Sequence, residues 1–420
     1  MHRWSTIASP TPDLHHDKDD PMLGAFLFWL AFLVLAYQYV GYPLLLAALA
    51  ALRGRRTPAV YAREEDLPSV TLVISAFNEA EVLDGKIRNA LALDYPKDRF
   101  EIVVASDGST DATNDIARSF ATDGVVLHEY PVNRGKNLVL NDTLPRARGE
   151  LIVFTDANGM YQRDAIRTLV QPFAEPRVGS VCGELIYKNF NDNPIAEGYN
   201  RYWELDQMQK RLESSLGTLL GANGSIFALR KALCRPIPND VCNDMVQPIW
   251  VAAAGHLCLY EPRALSFEAG SRNLADELKR RSRIIGRGIR GIAAVWPDIA
   301  RQGAWLVGLE LLSRKGLRYL TPLWFAMLLV GSGLAGGAFY TALFVLQLLA
   351  YAAIPVGFAL PEGPVKRLAS PAVYFGIGNL AAILGWWKVV TGSELGRWQT
   401  AERPFESGSP QAATAESSRE

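Results

Sequence analysis

Between Ser69 and about Gly270 the chain alternates short apolar runs with amphipathic stretches. The runs "SVTLVISA" (69–76), "FEIVVAS" (100–106), "GVVLHEY" (124–130) and "ELIVFTD" (150–156) read as strands. The stretches "NEAEVLDGKIRNALAL" (78–93), "DATNDIARSF" (111–120) and "GKNLVLNDTLPRA" (135–147) read as helices, the second opened by Asp and Thr caps. Strand alternating with helix predicts a largely parallel sheet covered on both faces. In such sheets ligands bind at the carboxyl ends of the strands. Outside this region the pattern changes to long uncharged runs. Residues 23–52 carry no charge, and neither do 319–360. A bilayer span needs about 20 apolar residues, so the first run predicts one retained transmembrane helix. The second has room for two, roughly 319–338 and 341–360 (from the Gly and Pro near its centre and end). A third run, 371–387, passes into "GWWK", an interfacial aromatic signal. The expected organisation is an N-terminal tail (1–22), a span (23–52), an α/β domain (69–270), basic interface helices (271–318), about three further spans (319–390) and a polar tail (391–420).

Charge orients this arrangement. Lys plus Arg equals Asp plus Glu at 43 each, which speaks against broad nucleic-acid binding. Cations cluster beside the spans: Arg53, Arg55 and Arg56 after the first, Arg314, Lys315 and Arg318 before the second, Lys366 and Arg367 between the third and fourth. The positive-inside rule then puts the middle domain in the cytoplasm of a multi-pass inner (plasma) membrane protein. The tail from residue 401 has a disordered composition. Cys182, Cys234, Cys242 and Cys258 lack the CxxC spacing of a zinc site and suit a reduced compartment.

The polar residues that carry chemistry fall at the strand ends. Asn78 and Glu79 follow the first strand, Asp107, Gly108 and Ser109 the second, Asn133 to Lys136 the third, Asp156 and Asn158 the fourth. Taken singly, each is a turn signal. Four clusters at one sheet edge point to a ligand. "GRGIRG" (286–291) fits a dinucleotide fingerprint but follows the basic stretch "KRRSRII" and no strand, so its confirming context is missing.

These pieces, "SAFNEA" (75–80), "ASDGSTDAT" (105–113), "NRGKNLVLN" (133–141), "FTDAN" (154–158), "GANGSIFALRK" (221–231), "CNDMVQPI" (242–249) and "KRRSRII" (279–285), resemble the family 2 glycosyltransferases. The resemblance is closest to the membrane-embedded branch of cellulose, hyaluronan and poly-N-acetylglucosamine synthases. It implies a GT-A fold, an α/β domain with a Rossmann-like mixed sheet. It also implies an inverting transfer of a sugar from a UDP- or GDP-linked donor to a saccharide or lipid-linked acceptor beside membrane lipid, in exopolysaccharide or cell-envelope glycan synthesis. Residue by residue it assigns Asn78, Glu79, Asp107, Lys136 and Asp156 to the donor. Asp156 and Asn158 would hold a divalent cation, Mg2+ or Mn2+, and Asp244 would be the general base. The alternative for Asp244 is a helix N-cap. The family's D-x-D is Asp156-Ala157-Asn158 here, so the second ligand is neutral. At the family's Q-x-x-R-W, Ile284 stands where a Trp would stack on a sugar, which leaves processive synthesis open. Arg280, Arg281 and Arg283 remain for phosphate or acceptor, or for lipid headgroups. They are expected to face the site, with Ile285, Ile289, Ile292 and Trp296, one helical stripe, facing lipid. Tyr199, Tyr202 and Trp203 are acceptor-side stacking groups or core aromatics. A sugar-phosphate nucleotidyltransferase and a non-enzymatic membrane scaffold are the alternatives from other classes.

Overall fold

The computed structural model describes residues 21–54, 59–188, 196–269, 274–360 and 364–397; both tails lie outside the described residues. Its centre is one eight-stranded sheet in the order β3-β2-β1-β4-β7-β6-β8-β5. The strands are β1 (Val70–Ala76), β2 (Phe100–Asp107), β3 (Val125–Tyr130), β4 (Leu151–Asp156), β5 (Met160–Tyr161), β6 (Val178–Lys188), β7 (Phe227–Arg230) and β8 (Leu257–Ala269). β3, β2, β1 and β4 are mutually parallel, as the alternation predicts. β7 then enters antiparallel between β4 and β6, and β6 and β8 are parallel to each other, so the sheet is mixed. Every residue of β1 is buried, which explains why it reads as a continuous apolar run. The four parallel strands end at one edge, with Ser75 of β1 opposite Asp156 of β4 and Asp107 of β2 opposite Tyr130 of β3.

Helices cover both faces. Two apolar clusters result, one with Leu83, Ile87 and Ile166, the other with Leu140, Val246 and Ile249. The elements behind the site are α3 (Ala80–Leu91), α4 (Thr113–Ser119), α5 (Lys136–Thr143), α6 (Ala165–Val170), α7 (Ala196–Leu216) and α8 (Asn243–Ala253).

The first apolar run forms α1 (Pro21–Ala36) and α2 (Tyr42–Arg53), joined through a π-helical turn at Tyr37–Gly41. After the sheet come α9 (Leu274–Arg301), α10 (Trp305–Leu311), α11 (Leu317–Tyr319), α12 (Thr321–Ala335), α13 (Gly337–Ala359) and α14 (Pro364–Val390). Among the described residues, three stretches are long and apolar enough to cross a membrane: Pro21–Arg53, Gly337–Gly357 and Ala372–Val390. A fourth arises only if Trp305–Tyr319 and Thr321–Ala335, bent by 63°, count as one. The run expected as 319–338 is thus a short helix, because the chain breaks at Gly336 and Gly337, both with positive φ. The backbones of α1 and α12 touch. A Cβ on Gly331 would overlap the Phe28 backbone, and one on Gly24 the backbone of Leu334 and Ala335.

The structure corrects the expected lipid stripe on α9. Ile292 and Trp296 pack against the core cluster of the catalytic domain, and Ile285 lies against Gly385 of α14. Ile289 is half-buried. The helix is held between the sheet domain and α14, so its apolar side meets protein. The exposed apolar face falls one element later, on α10 and the turn after it: Trp305, Leu306, Leu309 and Leu312.

Candidate active site

Asp107 ends β2 and is fully buried. Its carboxylate accepts the backbone N–H groups of Arg134 and Gly135, each at 2.8 Å. Burial pushes its pKa above the ordinary carboxylate value, and those two N–H groups offset part of the rise. The approach depends on Gly108, whose φ is +69°. A Cβ there would run into the backbone of Val132 and Asn133.

The same segment leads into α5, whose first residue is Lys136. Its ammonium pairs with the Asp156 carboxylate at the end of β4. Asn137 ties α5 to the loop before α8, its amide donating to the carbonyls of Pro238 at 2.7 Å and Val241 at 2.8 Å. Asp244 lies in the first turn of α8. Its backbone carbonyl accepts the Ala222 N–H at 2.8 Å, and Gly224 lies against its carboxylate, where a Cβ would stand 3.2 Å from Oδ2. Burial raises the Asp244 pKa; Lys136, Arg287 and Lys315 draw it down, and Asp156 raises it again. Such a carboxylate, shielded from water and in the field of three cations, is chemically able to act as a proton acceptor.

Asn78 and Glu79 sit at the same edge with a scaffolding geometry. Asn78 has φ +52°, and its amide oxygen accepts the Thr110 N–H at 2.8 Å. The Glu79 N–H donates to Thr113 Oγ1 at 2.8 Å, and the Ala80 N–H to Asp111 Oδ2 at 3.1 Å. The loop after β2 thereby caps α3, locking two strand-end loops together.

Asp156 and Asn158 are both half-buried at the carboxyl edge. Among the described residues no three His, Cys, Asp or Glu side chains gather to enclose a metal. One carboxylate and one amide oxygen fit an Mg2+ or Mn2+ ion that takes its remaining ligands from a diphosphate and water.

Of the three arginines, Arg283 lies in the field of Asp156. Burial and the neighbouring Arg287 lower its pKa, and Asp156 opposes this. Arg280 pairs with Glu277 at 3.0 Å. Arg281 pairs with Glu277 at 2.5 Å and bonds the Tyr374 hydroxyl of α14. A glutamate one turn earlier on α9 thus engages both, a pairing that the basic run alone conceals. Trp203 is half-buried, edge-on to Tyr187 at 5.7 Å and 5.1 Å from Lys210 Nζ. The side chains of Tyr199 and Tyr202 lie outside the described residues.

Two features went unseen in the sequence. Arg287 and Lys315 flank Asp244. Behind it lies a buried ionic network: Arg314, with side-chain exposure of 1%, pairs with Glu213 and, at 3.0 Å, with Asp206, while Lys210 bridges Asp206 at 3.1 Å and Asn223 at 2.7 Å. Burial alone would push Asp206 up; Lys210 and Arg314 hold it well below the usual carboxylate range. A second π-helical turn, Leu312–Gly316, supplies Arg314 and faces the first, with Tyr37 and Ser313 hydroxyls 2.9 Å apart.

A mixed sheet whose parallel half presents Asp107, Lys136 and Asp156 at one edge, with Asp244 brought into their field by the first turn of α8, is a GT-A-like domain. Residues 71–237 match the glycosyl transferase family 2 description, so the chain carries a domain of that family. A beta-monoglucosyldiacylglycerol synthase of Synechocystis is 30% identical over 40% of this chain and 36% of its own length. A poly-beta-1,6-N-acetyl-D-glucosamine synthase of Staphylococcus epidermidis is 24% identical over 54% of this chain and 56% of its own. The matched part therefore spans from about a third to just over half of these relatives. Among solved structures, a mannosyltransferase of Pyrobaculum calidifontis in complex with GDP-Man and Mn2+ superposes with a TM-score of 0.65 over 88% of this chain and 100% of its own, at 23% identity. That likeness shows the shared fold.

Proposed function

We propose that the protein is an inverting, metal-dependent glycosyltransferase of a multi-pass inner membrane, with its catalytic domain in the cytoplasm. It transfers a hexose from a UDP- or GDP-sugar to a saccharide or lipid-linked acceptor in glycolipid or envelope polysaccharide synthesis. The observation that carries this reading is the meeting of Asp107, Lys136 and Asp156 with Asp244 at one sheet edge. The family 2 domain supports sugar transfer over nucleotidyl transfer or a scaffold. The Pyrobaculum mannosyltransferase, solved with GDP-Man and Mn2+, supports the donor and cation classes.

In this reading Asp107 and the Arg134–Gly135 backbone receive the nucleoside. Lys136 exchanges its Asp156 partner for the diphosphate, and Arg283 adds a second cation to it. Asp156 and Asn158 hold the divalent ion, which neutralises charge on the leaving diphosphate. Asp244 takes the proton of the acceptor hydroxyl as its oxygen bonds the anomeric carbon. The bond from that carbon to the diphosphate breaks on the opposite face, so configuration inverts. Leu306, Leu309 and Leu312 of the α10 region rest on the bilayer and bring the acceptor to Asp244.

The test is a screen of nucleotide sugars with detergent-purified protein, reading UDP or GDP release with and without acceptor. Asp244→Asn should lower turnover about 100- to 10,000-fold, the range of a general base, while nucleotide binding persists. Wild-type turnover in that variant would remove Asp244 from the mechanism.

A further inference from the structure

Lys86 belongs to none of the strand-end clusters, yet it is fully buried on the inner face of α3. An enclosed ammonium costs several kcal/mol unless its partners are well placed. Here Nζ donates to Thr155 Oγ1 at 3.0 Å and to the Gly159 carbonyl. Thr155 and Gly159 bracket Asp156-Ala157-Asn158, so one side chain holds both ends of the donor turn. Nζ also stands 4.0 Å from the centroid of the Tyr161 ring. One turn further along α3, Asn89 exchanges a pair of hydrogen bonds with the Tyr161 backbone, at 2.9 and 2.8 Å. The Tyr161 hydroxyl donates to the Ser225 carbonyl at 2.8 Å. Ser225 lies in the same segment as Ala222 and Gly224, which touch Asp244. A continuous run of contacts therefore joins the donor turn, through Lys86 and Tyr161, to the loop behind the base.

We propose that Lys86 is a positioning residue for sugar transfer, a buried amino group that fixes the Asp156–Asn158 turn and, through Tyr161, sets its distance from Asp244. This rests on the reading of Asp156 as a donor residue and Asp244 as the base. The geometry separates this role from simple filling of space. Methionine has nearly the same length and fills the same space, while leaving the buried Gly159 carbonyl without its donor at some cost in stability. A space-filling lysine would thus be exchangeable for methionine with activity intact. A positioning lysine would not, because displacement of a reacting group by about 1 Å costs on the order of 100-fold in rate.

The experiment uses the full chain in detergent. Calorimetry measures UDP and GDP affinity, turnover gives kcat and donor KM, and thermal unfolding gives Tm. Lys86→Met should lower Tm modestly while nucleotide affinity falls about tenfold and kcat/KM about 100-fold. Tyr161→Phe keeps the ring under the amino group and deletes the bond to Ser225; it should lower kcat and leave nucleotide affinity unchanged. A folded Lys86→Met protein with wild-type affinity and kcat/KM overturns the proposal. Should Lys86→Met fail to fold, wild-type kcat in Tyr161→Phe overturns it equally. If the wild-type protein itself binds neither nucleotide and transfers no sugar, the reading of the whole site falls, and this proposal with it.

Discussion

Gly108→Ala should damage the nucleotide site through the backbone alone. Gly108 has φ +69°, in the left-handed region. Holding an L-residue there costs about 1–2 kcal/mol. The new methyl would also strike the backbone of Val132 and Asn133. Neither can yield by rotating a side chain, so the segment must move. It carries the N–H groups of Arg134 and Gly135 that hold Asp107 at 2.8 Å. Losing one hydrogen bond to a charged group costs about 1.5–3 kcal/mol. At 1.4 kcal/mol per tenfold, UDP or GDP affinity should fall roughly 10- to 100-fold. The strain alone should lower Tm by about 2–8 °C for a domain of this size. Gly124 is the control. It has φ +88° and open space for at least 4 Å around the point where a methyl would stand, so Gly124→Ala carries the strain without the collision. It should lower Tm by a similar amount and leave nucleotide affinity unchanged. Calorimetry and thermal unfolding on both variants decide. Wild-type affinity in Gly108→Ala would mean that the 132–135 segment does not set the nucleotide site.

Asp156→Ala should abolish metal-dependent donor binding, whereas Asn158→Asp adds a second carboxylate and should lower the Mn2+ concentration for half-maximal activity; the reverse order of effects would remove the pair as the cation's ligands. Arg314→Met strands Glu213 without its buried cation, leaves Asp206 to Lys210 alone, and should cost about 3–5 kcal/mol, read as a loss of Tm. A change within error would mean that the network is hydrated and inessential. The pH–rate profile follows from Asp244, which must be ionised to accept a proton. Burial raises its pKa, so kcat should fall with acidification at a pH above the ordinary aspartate value of about 3.9. An acid limb at or below that value would contradict a buried base.

The parallel half of the sheet was legible because its strands are buried on both faces and read as unbroken apolar runs, each followed by polar residues. The antiparallel insertion of β7 was not, since four residues, Phe227–Arg230, carry no pairing information of their own. At the site, Asp107, Lys136, Asp156 and Asp244 were readable because chemistry confines them to strand and helix ends. Lys86 was hidden inside an amphipathic helical pattern, where a lysine reads as solvated. The pairing of Arg280 and Arg281 with Glu277 was not readable, as Glu277 lies outside the basic run that drew attention to them. The lipid stripe misled because periodicity identifies an apolar face without naming what covers it.

The contact between Gly24 and Gly331 has a consequence for biosynthesis. A ribosome adding about 5–20 residues per second delivers α12 roughly 15–60 s after the first helix. For that interval the glycine surface of α1 stays uncovered, while the residues of the whole sheet are made between the two. Small-residue surfaces of this kind draw helices together without a hydrophobic driving force. α12 must therefore find α1 only after that delay, and chains stalled or truncated before residue 331 leave the surface of α1 uncovered. Substitutions at Gly24 should appear as lost yield of assembled protein, with the catalytic constants of the surviving fraction untouched.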